Sequence, residues 1–547
     1  MVKINKDEHS YKILNILFLF TILVYLVALF IPILRNDDSL LYANISKNMI
    51  LAKSWFLLYH PLGVDWLDKP HFPFWLIRLW FSLFGISSFN YIFIGMLFNF
   101  IGVFYTYKLA KIIYHNNYIA KLAALILLTS FHPFFSSTID IRAEVYLIGT
   151  IIPSCYYLYK LIYLAKFTFK NLFLSAVFAS CAIMTKGVFT LITIYSILIP
   201  FILTNKMSLK ILITIFSHIF LIIIFLIPEL IALYVQFQHK IYGIKWFLWD
   251  SQFGRFFNKG AIIRPNIGFD HYFFYFHTYF WSILPWTLWF LMYLKTVIKH
   301  INQITKEDKI LLSGFLVTFI LFSISKFQLD YYINVIVPFS SILIAKYIND
   351  YKGSKFINYI MLFILFIVAI ILSCIILYIA IIHKLFMVGL LIILLDLIAI
   401  ILLFALRNIK NVSIVIYPII FINWLLLMIF VFYDLIYKRY EAGYHIANYI
   451  NQDNTVNLVI DYQVSNLALE FYVNKDYKNI KDYKDLLHEK PPYFLVTNKN
   501  AMDLYKDKGY TFKVYDNVTM DKLIIYLLQV NKSIDLNKKL FVIKVEK

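Results

Sequence analysis

Long apolar segments recur through most of this chain and constrain its fold more than any other feature. A helix needs about 20 apolar residues to cross a bilayer core of about 30 Å, and lipid offers no other hydrogen-bond partner to its backbone. Thirteen stretches of this kind can be placed at residues 12–34, 87–109, 119–136, 143–164, 171–185, 187–204, 211–235, 272–294, 308–325, 333–349, 357–382, 385–406 and 412–436. The sequence therefore predicts a polytopic α-helical membrane protein with about 13 transmembrane helices.

Composition supports a membrane protein and argues against a nucleic-acid partner. Hydrophobic residues make up 61% of the 547 residues and charged residues only 15%, which is more apolar surface than a soluble core could bury. The net charge of +20 comes from basic residues spread over short loops, without a dense basic block. Cys155, Cys181 and Cys374 lie in apolar runs, so we expect neither a disulfide framework nor a cysteine metal cluster.

Lysines mark one side of the membrane. They fill alternate loops, as at Lys108 and Lys111 or at Lys295 and Lys299, and by the positive-inside rule these loops face the cytoplasm. The N-terminal segment is long and lacks a small-residue cleavage site, so we expect an uncleaved first span with a cytoplasmic N-terminus. The outer loops are then residues 35–85, 136–142, 236–271 and 325–332. The expected location is a bacterial inner membrane, and membrane lipids are expected partners.

The hydropathy pattern of the sequence changes near residue 438. VNLVIDY, PPYFLVTN and KLFVIKVEK have the pattern of buried strands, whereas AGYHIANYIN and NAMDLYKDKG have the pattern of helices. We therefore predict a small extracytoplasmic α/β domain at residues 438–547. It would follow a transmembrane core at 1–350 and additional transmembrane helices at 351–437.

Acids concentrate in the outer loops, where they indicate a site. The first outer loop, in which we expect amphipathic juxtamembrane helices, carries Asp37, Asp38, Tyr42 and the run Asp68-Lys69-Pro70. Asp140 lies at the next outer span end. Two acids at separate span ends suit a general base and an electrostatic partner. The alternative for Asp140 is a helix N-cap.

Cations and tyrosines outside the membrane are a second signal. Arg255 and Arg264 lie in an aromatic loop, where arginine suits bidentate phosphate recognition, although an interfacial anchor loop explains them equally well. Lys326 lies on the outer side against the charge rule, just before Tyr331 and Tyr332. Lys186 lies between two short segments, and its alternative is a simple turn lysine. Asp396, in mid-span, is expected to make a buried hydrogen bond.

The motifs that carry these residues resemble, in order, those of the polyprenyl-phosphate-sugar-dependent glycosyltransferases of the GT-C superfamily. The closest branch looks like the lipid A aminoarabinose transferases and the protein O-mannosyltransferases. Residues 38–49, DSLLYANISKNM, are similar to D-E-x-R-Y-A, and residues 68–75, DKPHFPFW, to E-K-P-x-x-x-x-W. MTKG at 184–187 and the LPW of ILPW at 283–286 match directly. SQFGRF at 251–256 resembles E-H-x-x-R-F, and SISKFQLDYY at 323–332 resembles S-x-x-K-x-K-L-x-x-Y.

The resemblance implies roles for these residues. Asp38 and Asp140 would be the catalytic acids. The donor phosphate would be held by Lys69, Arg255 and Tyr332, with Lys326 nearby, and the supporting residues would be Asp37, Tyr42, Asp68, Lys186, Arg264 and Tyr331. The aminoarabinose branch places a metal between the acid before Lys-Pro and a loop His. Here Asp68 remains but Gln252 replaces the His, which argues against a bound metal, and we expect no other cofactor.

The expected function is transfer of a sugar, with inversion, from an undecaprenyl-phosphate donor to a cell-envelope acceptor on the periplasmic face. Lipid A or lipopolysaccharide is the first acceptor, and another glycan or a protein is the alternative. A protein O-glycosyltransferase, a polysaccharide ligase and a flippase are the rival classes. A flippase is expected to carry ionisable residues at mid-membrane, whereas most of the charged residues singled out here lie in the outer loops.

Overall fold

The computed structural model describes residues 8–31, 33–35, 37–59, 68–205, 207–257, 271–351, 356–406, 413–453, 455–461, 464, 466–480, 489–498, 513–516 and 539–546. Most of these residues are helical. The helices are α1 (Glu8–Ala28), α2 (Asp38–Leu51), α3 (Phe72–Phe84), α4 (Ser88–Tyr114), α5 (Asn117–Leu128), α6 (Phe131–Thr138), α7 (Ala143–Ile162), α8 (Phe169–Lys186), α9 (Thr190–Ser196), α10 (Ile199–Thr204), α11 (Leu209–Gln236), α12 (Tyr242–Lys245), α13 (Ser251–Phe257), α14 (His271–Ser282), α15 (Thr287–Lys299), α16 (Lys306–Ile324), α17 (Val337–Asp350), α18 (Phe356–Ile382), α19 (Phe386–Leu406), α20 (Ser413–Phe432), α21 (Lys438–Tyr440), α22 (Ala442–Ile450) and α23 (Leu467–Tyr472). The strands are β1 (Asn457–Asp461), β2 (Tyr477–Ile480), β3 (Tyr493–Thr497), β4 (Lys513–Asp516) and β5 (Lys539–Val545).

Helices long and apolar enough to cross a membrane dominate the fold. Within the ranges given above there are seven, or up to eight if the α5–α6 pair, bent by 60°, is one broken span. They lie in α1, α4, α7, α11, α18, in α17 with the 3-10 turn before it, and in α20 with the turns after it. The protein is therefore a multi-pass α-helical membrane protein, as the sequence predicts.

Several of the thirteen expected segments form shorter or more polar helices. Residues 187–204 are divided between α9 and α10, and residues 272–294 are divided between α14 and α15 by a turn around Pro285. Helix α16 begins with the charged run Lys306-Glu307-Asp308-Lys309, and α8 begins and ends near Lys170 and Lys186. By helix length and hydropathy alone, the described residues therefore contain fewer than thirteen membrane-spanning helices.

The helices differ in how much of their surface the protein covers. In α7 and in the span that contains α17, 89% of the apolar window is buried, whereas the values for α11 and α18 are 28% and 17%. The first two therefore form the centre of the bundle. The other two present Phe216, Phe220, Phe363 and Phe366 on the outside, where lipid replaces protein as the apolar partner.

Glycines bring α4 and α7 into close contact. A Cβ on Gly149 would lie 2.5 Å from the carbonyl oxygen of Phe98, and one on Gly102 would overlap Ile148. Small residues let helix backbones approach in this way within a membrane. Because α7 starts at Ala143, this contact also fixes the position of Asp140 and Arg142, which immediately precede it.

A five-stranded mixed sheet lies near the C-terminal end, in the order β2-β1-β3-β5-β4. Strand β1 pairs in parallel with β2 and β3, and β5 pairs antiparallel with β3 and β4. Alternate residues of β1 pack on opposite faces: Leu458 and Ile460 join a cluster with α22, and Val459 joins a second cluster. The expected strands and the helix at α22 are present. The expected helix at NAMDLYKDKG lies outside the described residues.

We predict that Gly149→Ala destabilises the protein by about 1–3 kcal/mol, because the new methyl group forces α4 and α7 apart. The measurement is the apparent Tm of the protein in detergent. Gly389→Ala is the matched control, since its Cβ would lie 3.9 Å from Ala380 and Leu377, an ordinary contact. Equal Tm values for the two variants would contradict the close approach of α4 and α7.

Candidate functional site

One guanidinium lies among three carboxylates at the start of α7. Arg142 Nη1 donates to Asp38 Oδ2 at 3.0 Å, and Nη2 donates to Asp37 Oδ2 at 2.7 Å. Its Nε donates to Asp140 Oδ2 at 2.8 Å, and its Nη2 lies 2.7 Å from the same oxygen. We call Asp37, Asp38, Asp140 and Arg142 the acidic cluster. The structure thus brings together acids that are about a hundred residues apart in the sequence.

Arg35 supplies the second cation of this region. Its Nη1 donates to Asp140 Oδ2 at 3.1 Å, and its Nη2 lies 3.5 Å from Asp37 Oδ2. Asp140 Oδ1 accepts from the Ser39 hydroxyl at 3.1 Å. The N-cap of α7 is Arg142, without a side-chain cap hydrogen bond, so the alternative role of Asp140 as a helix cap is wrong.

Burial and charge act in opposite directions on the protonation of the cluster. Burial raises the pKa of Asp38; Arg142 and Lys69 lower it, Asp37 and Asp140 raise it, and the net pKa lies above its ordinary value. Burial alone would lower the pKa of the Arg142 guanidinium, but Asp140 and Asp38 outweigh burial and raise it. Arg142 therefore remains a cation, and Asp38 is a stronger base than a free aspartate.

Two of the expected tyrosines adjoin Asp38. The Tyr331 hydroxyl donates to Asp38 Oδ2 at 3.2 Å, and the Tyr331 ring centroid lies 4.1 Å from the Arg142 guanidinium carbon. Tyr42, on α2, is buried. Its pKa is raised well above its usual value by burial and then by Asp38 and other nearby acids, which keeps its hydroxyl protonated.

The Asp68-Lys69 run is held in place by α11, a contact that was not predicted from the sequence. Lys69 is buried and forms an ion pair with Asp68. Two residues later, His71 Nδ1 lies 2.9 Å from Glu229 Oε1, and the His71 amide donates to both Glu229 oxygens at 3.2 and 3.3 Å. His71 and Glu229 are both fully buried. Helix α11 therefore holds Lys69 within electrostatic range of Asp38.

Lys186 is more than a turn lysine. It pairs with Glu144 Oε1 of α7, which is fully buried, and its Nζ lies 3.2 Å from the ring centroid of Tyr332. This arrangement leaves a cation and a phenol at one end of a cavity. We call Glu144, Lys186 and Tyr332 the lysine group.

Two cavities adjoin at consecutive tyrosines. The first encloses about 780 Å³, including its opening, and is mainly apolar, with Lys186, Gln252, Tyr275, Phe322 and Tyr332 in its lining. The second encloses about 1040 Å³ on the same measure and contains the acidic cluster, Arg35 and Tyr331. A mainly apolar cavity and a charged cavity are thus lined by the consecutive residues Tyr332 and Tyr331. This geometry suits a substrate with an apolar tail and a polar head.

The remaining expected residues are less closely tied to the cluster. Arg255 belongs to α13, and Arg264 lies outside the described residues. Lys326 is exposed, and its amide donates to the Phe256 carbonyl at 3.1 Å, which joins its turn to α13. Gln328, which stands where the motif that this segment resembles has a second lysine, donates to the Phe322 and Ser323 carbonyls at 3.2 Å and so caps α16.

The donor set does not fit the implied metal. Asp68 is engaged by Lys69, and the Gln252 amide donates to Ser251 Oγ at 3.0 Å while packing against Gly187. Within the described ranges no group of three or more His, Cys, Asp or Glu side chains could hold a metal ion. We therefore derive no chemical step through a metal.

Sequence reasoning missed several residues of the site, and most of them were visible as charges near outer span ends. Arg142 lies two residues after Asp140, and Glu144 two residues further. The pairing of His71 with Glu229 was not predicted either. Asp396, in contrast, accepts from Ser373 Oγ at 3.0 Å and from Trp424 Nε1 at 2.9 Å, which confirms its expected hydrogen bond.

We predict that Arg142→Met lowers stability in a pH-dependent way. Burial raises the pKa of Asp38, and the loss of Arg142 removes the largest opposing effect. The stability that Asp38 contributes is therefore present at low pH and is lost as pH rises through its folded-state pKa. The apparent Tm should fall below that of the unmodified protein at about pH 7.5, and the gap should narrow towards about pH 5.

Arg78→Met is the matched control for this experiment. The Arg78 guanidinium carbon lies 3.6 Å from the Trp55 ring centroid, and its Nε donates to the Met49 carbonyl at 3.3 Å. Neither contact titrates, so any loss of Tm should be the same at both pH values. The same pH-independent loss in Arg142→Met would show that Arg142 does not neutralise the three acids.

Comparisons with known proteins support the resemblance expected from the sequence. A model of the family described as dolichyl-phosphate-mannose-protein mannosyltransferase matches residues 68–232. The undecaprenyl phosphate-alpha-4-amino-4-deoxy-L-arabinose arabinosyl transferases of Wigglesworthia glossinidia brevipalpis and Yersinia enterocolitica are each 26% identical, over 63% and 61% of this chain. The alignments span 59% of the length of each relative.

Solved structures match over nearly the whole chain. ArnT from Cupriavidus metallidurans bound to undecaprenyl phosphate has a TM-score of 0.73 and 15% identity, covering 98% of this chain and 99% of that one. Its apo state gives a TM-score of 0.72 with the same coverage. The chain thus has an ArnT-like fold, and it resembles the polyprenyl-phosphate-sugar-dependent glycosyltransferases of the GT-C superfamily, with arabinosyl transferases among its relatives.

Proposed function

We propose that this protein is an inverting glycosyltransferase of a bacterial inner membrane, which transfers a sugar from an undecaprenyl-phosphate donor to lipid A. The observation that carries the proposal is that the apolar cavity and the cavity with the acidic cluster are lined by consecutive residues, Tyr332 and Tyr331. A polyprenyl chain needs the first environment, and a sugar with a reacting centre needs the second. The names of the related arabinosyl transferases support both the donor and the reaction.

The proposed roles divide between the two cavities. Asp38 and Asp140 act as the catalytic acids at the charged end. Lys69, Arg255 and Tyr332 hold the donor phosphate, with Lys326 nearby. The supporting residues are Asp37, Tyr42, Asp68, Lys186, Arg264 and Tyr331. The contact of Lys186 with the Tyr332 ring and the electrostatic effect of Lys69 on Asp38 support this division.

The proposed reaction is a single displacement. An acceptor oxygen attacks the anomeric carbon while the bond from that carbon to the phosphate oxygen breaks, and the electron pair leaves with undecaprenyl phosphate. Fixed cations stabilise the charge that grows on the phosphate. A phosphate acceptor needs no deprotonation, whereas a hydroxyl acceptor gives its proton to Asp38, whose raised pKa suits it for that role.

The proposed topology has thirteen spans, a cytoplasmic N-terminus and the reaction on the periplasmic face. The domains are a catalytic transmembrane core at residues 1–350, further transmembrane helices at 351–437 and an extracytoplasmic α/β domain at 438–547. Helices α8, α16 and α19 and the helix pairs α9–α10 and α14–α15 occupy the remaining expected segments, which supports the higher count. Apart from Lys186, which lies between two short segments, the proposed site residues lie in the four proposed outer loops or at their edges, which supports a single-sided reaction.

A protein acceptor is the second candidate. The family model that matches residues 68–232 is described as a protein mannosyltransferase, which favours this alternative over a flippase or a polysaccharide ligase. The acceptor assay therefore needs separate lipid A and protein arms.

The direct test uses purified protein in lipid vesicles. Labelled undecaprenyl phosphate-alpha-4-amino-4-deoxy-L-arabinose is the first donor, and lipid A and an envelope protein extract are the acceptors. Labelled lipid A is the expected product. If protein is labelled instead, the acceptor is a protein, as in the second candidate. If no sugar is transferred from any of a panel of undecaprenyl-phosphate sugars, the proposal is overturned.

We predict that Asp38→Asn and Lys69→Met each lower turnover about 100-fold or more while the protein still folds, because they remove a reacting or charge-stabilising group. Matched controls are Asp434→Asn, whose carboxylate lies 3.7 Å from Lys438 Nζ in an exposed i,i+4 contact, and Lys53→Met, whose side chain is exposed. Full activity of Asp38→Asn and Lys69→Met would contradict the site assignment.

A further inference from the structure

A short helix of the C-terminal unit contacts the helix that starts with Asp38. Here the C-terminal unit means the described part of residues 438–547. Its helix α23 packs against α2, although more than four hundred residues separate them. The contact matters because α2 carries Asp38 at its first position, with Asp37 as its N-cap.

Lys47 forms the centre of this contact. Its ammonium donates to the carbonyl oxygens of Glu470, Phe471 and Val473 at 2.8, 3.0 and 2.7 Å. An ammonium has three N–H donors, so its hydrogen-bonding capacity is filled by two carbonyls of the last turn of α23 and by that of the C-cap residue Val473. The Lys47 side chain is only 8% exposed. Such a buried cation tolerates little displacement.

Two further contacts hold the same segment. The Asn44 side-chain amide donates to the Leu467 carbonyl at 2.8 Å. At the other end, the Leu34 amide donates to the Tyr472 hydroxyl at 2.9 Å, and that hydroxyl also bonds Ser88 Oγ at 2.9 Å. Helix α23 thus contacts the chain on both sides of the Asp37–Asp38 pair.

Helix α23 is itself held by two separate cores. Ala468 and Phe471 belong to the large transmembrane cluster, whereas Leu469 and Val473 belong to the cluster between α22 and the sheet. Asn466 caps α23 by accepting from the Leu469 amide at 2.9 Å. The position of α23, and with it the position of α2, therefore depends on both parts of the molecule.

We propose that Lys47 is a positioning residue: through α23, the C-terminal unit sets the placement of α2 that keeps Asp37 and Asp38 on Arg142. This inference rests on the proposed function for its kinetic consequence. The residues assigned to the donor phosphate lie on other elements, because Lys69 is held by α11 and Tyr332 by the lysine group. Loss of the Lys47 contact therefore affects the reacting acids and leaves the sugar-donor lipid bound.

The test compares Lys47→Met, which keeps the length of the side chain without its donors, with Lys47→Arg and with Lys53→Met. Lys53 is an exposed lysine just after α2 and serves as the control. We expect Lys47→Met to bind undecaprenyl phosphate with unchanged affinity and stoichiometry. Its turnover should fall about 10-fold or more, because misplaced reacting groups lower the rate of the chemical step. Lys47→Arg should recover most of that rate, and Lys53→Met should match the unmodified protein.

Two results would overturn the inference. One is unchanged turnover in Lys47→Met. The other is a loss of binding stoichiometry in step with turnover, which indicates a folding defect and not misplacement. Tyr472→Phe, which removes only one hydroxyl, is the milder second variant and should lower turnover in the same direction by a smaller factor.

Amide hydrogen exchange tests the positioning role of Lys47 independently of the proposed function. In Lys47→Met, exchange should become faster across α2 and stay unchanged across α15, whether or not the protein transfers sugar. Absence of transfer by the unmodified protein would refute the proposed function. Unchanged exchange across α2 would refute the positioning role.

Discussion

The pairing of Arg142 with three aspartates is the interaction on which the rest of the site depends. Carboxylates this close together repel one another. Arg142 contacts all three, whereas Arg35 contacts Asp37 and Asp140, so removal of Arg142 would leave uncompensated charge beside the buried Asp140. Arg142 can fill this role because close packing of α4 against α7 fixes the start of α7. Membrane packing thus determines the electrostatics of a loop that lies outside the spans.

The site is assembled from elements with separate supports. Helix α11 holds Lys69 through Glu229 and His71, and α7 holds Lys186 through Glu144. The C-terminal unit holds α2 through α23. In the proposed reaction these supports serve different tasks, since the cations face the leaving phosphate and the acids face the sugar and its acceptor. Each support can therefore be altered without removing the others.

The sequence predicted the fold class and the neighbourhood of the site but not its pairings. Hydropathy and strand periodicity predicted a multi-pass helical protein and the strands β1, β3 and β5, because these patterns are local. Asp38, Asp140 and Tyr331 were predicted as site residues and lie together. The Arg142 pairings, the Lys186–Glu144 ion pair and the Lys47 contact were not predicted, because they depend on tertiary packing between distant segments. The alternatives for Asp140 and Lys186, a cap and a turn, followed from local rules that the long-range ion pairs override.

The most direct test of the account is photolabelling with an undecaprenyl-phosphate analogue that carries a photoreactive group near the phosphate. The account predicts labelled peptides from residues 186–193 and 321–335, which line the apolar cavity next to the acidic cluster. Excess unlabelled undecaprenyl phosphate should remove this labelling. Competed labelling confined to the apolar groove of α18, α19 and α20 around Asp396, with none in the first cavity, would contradict it.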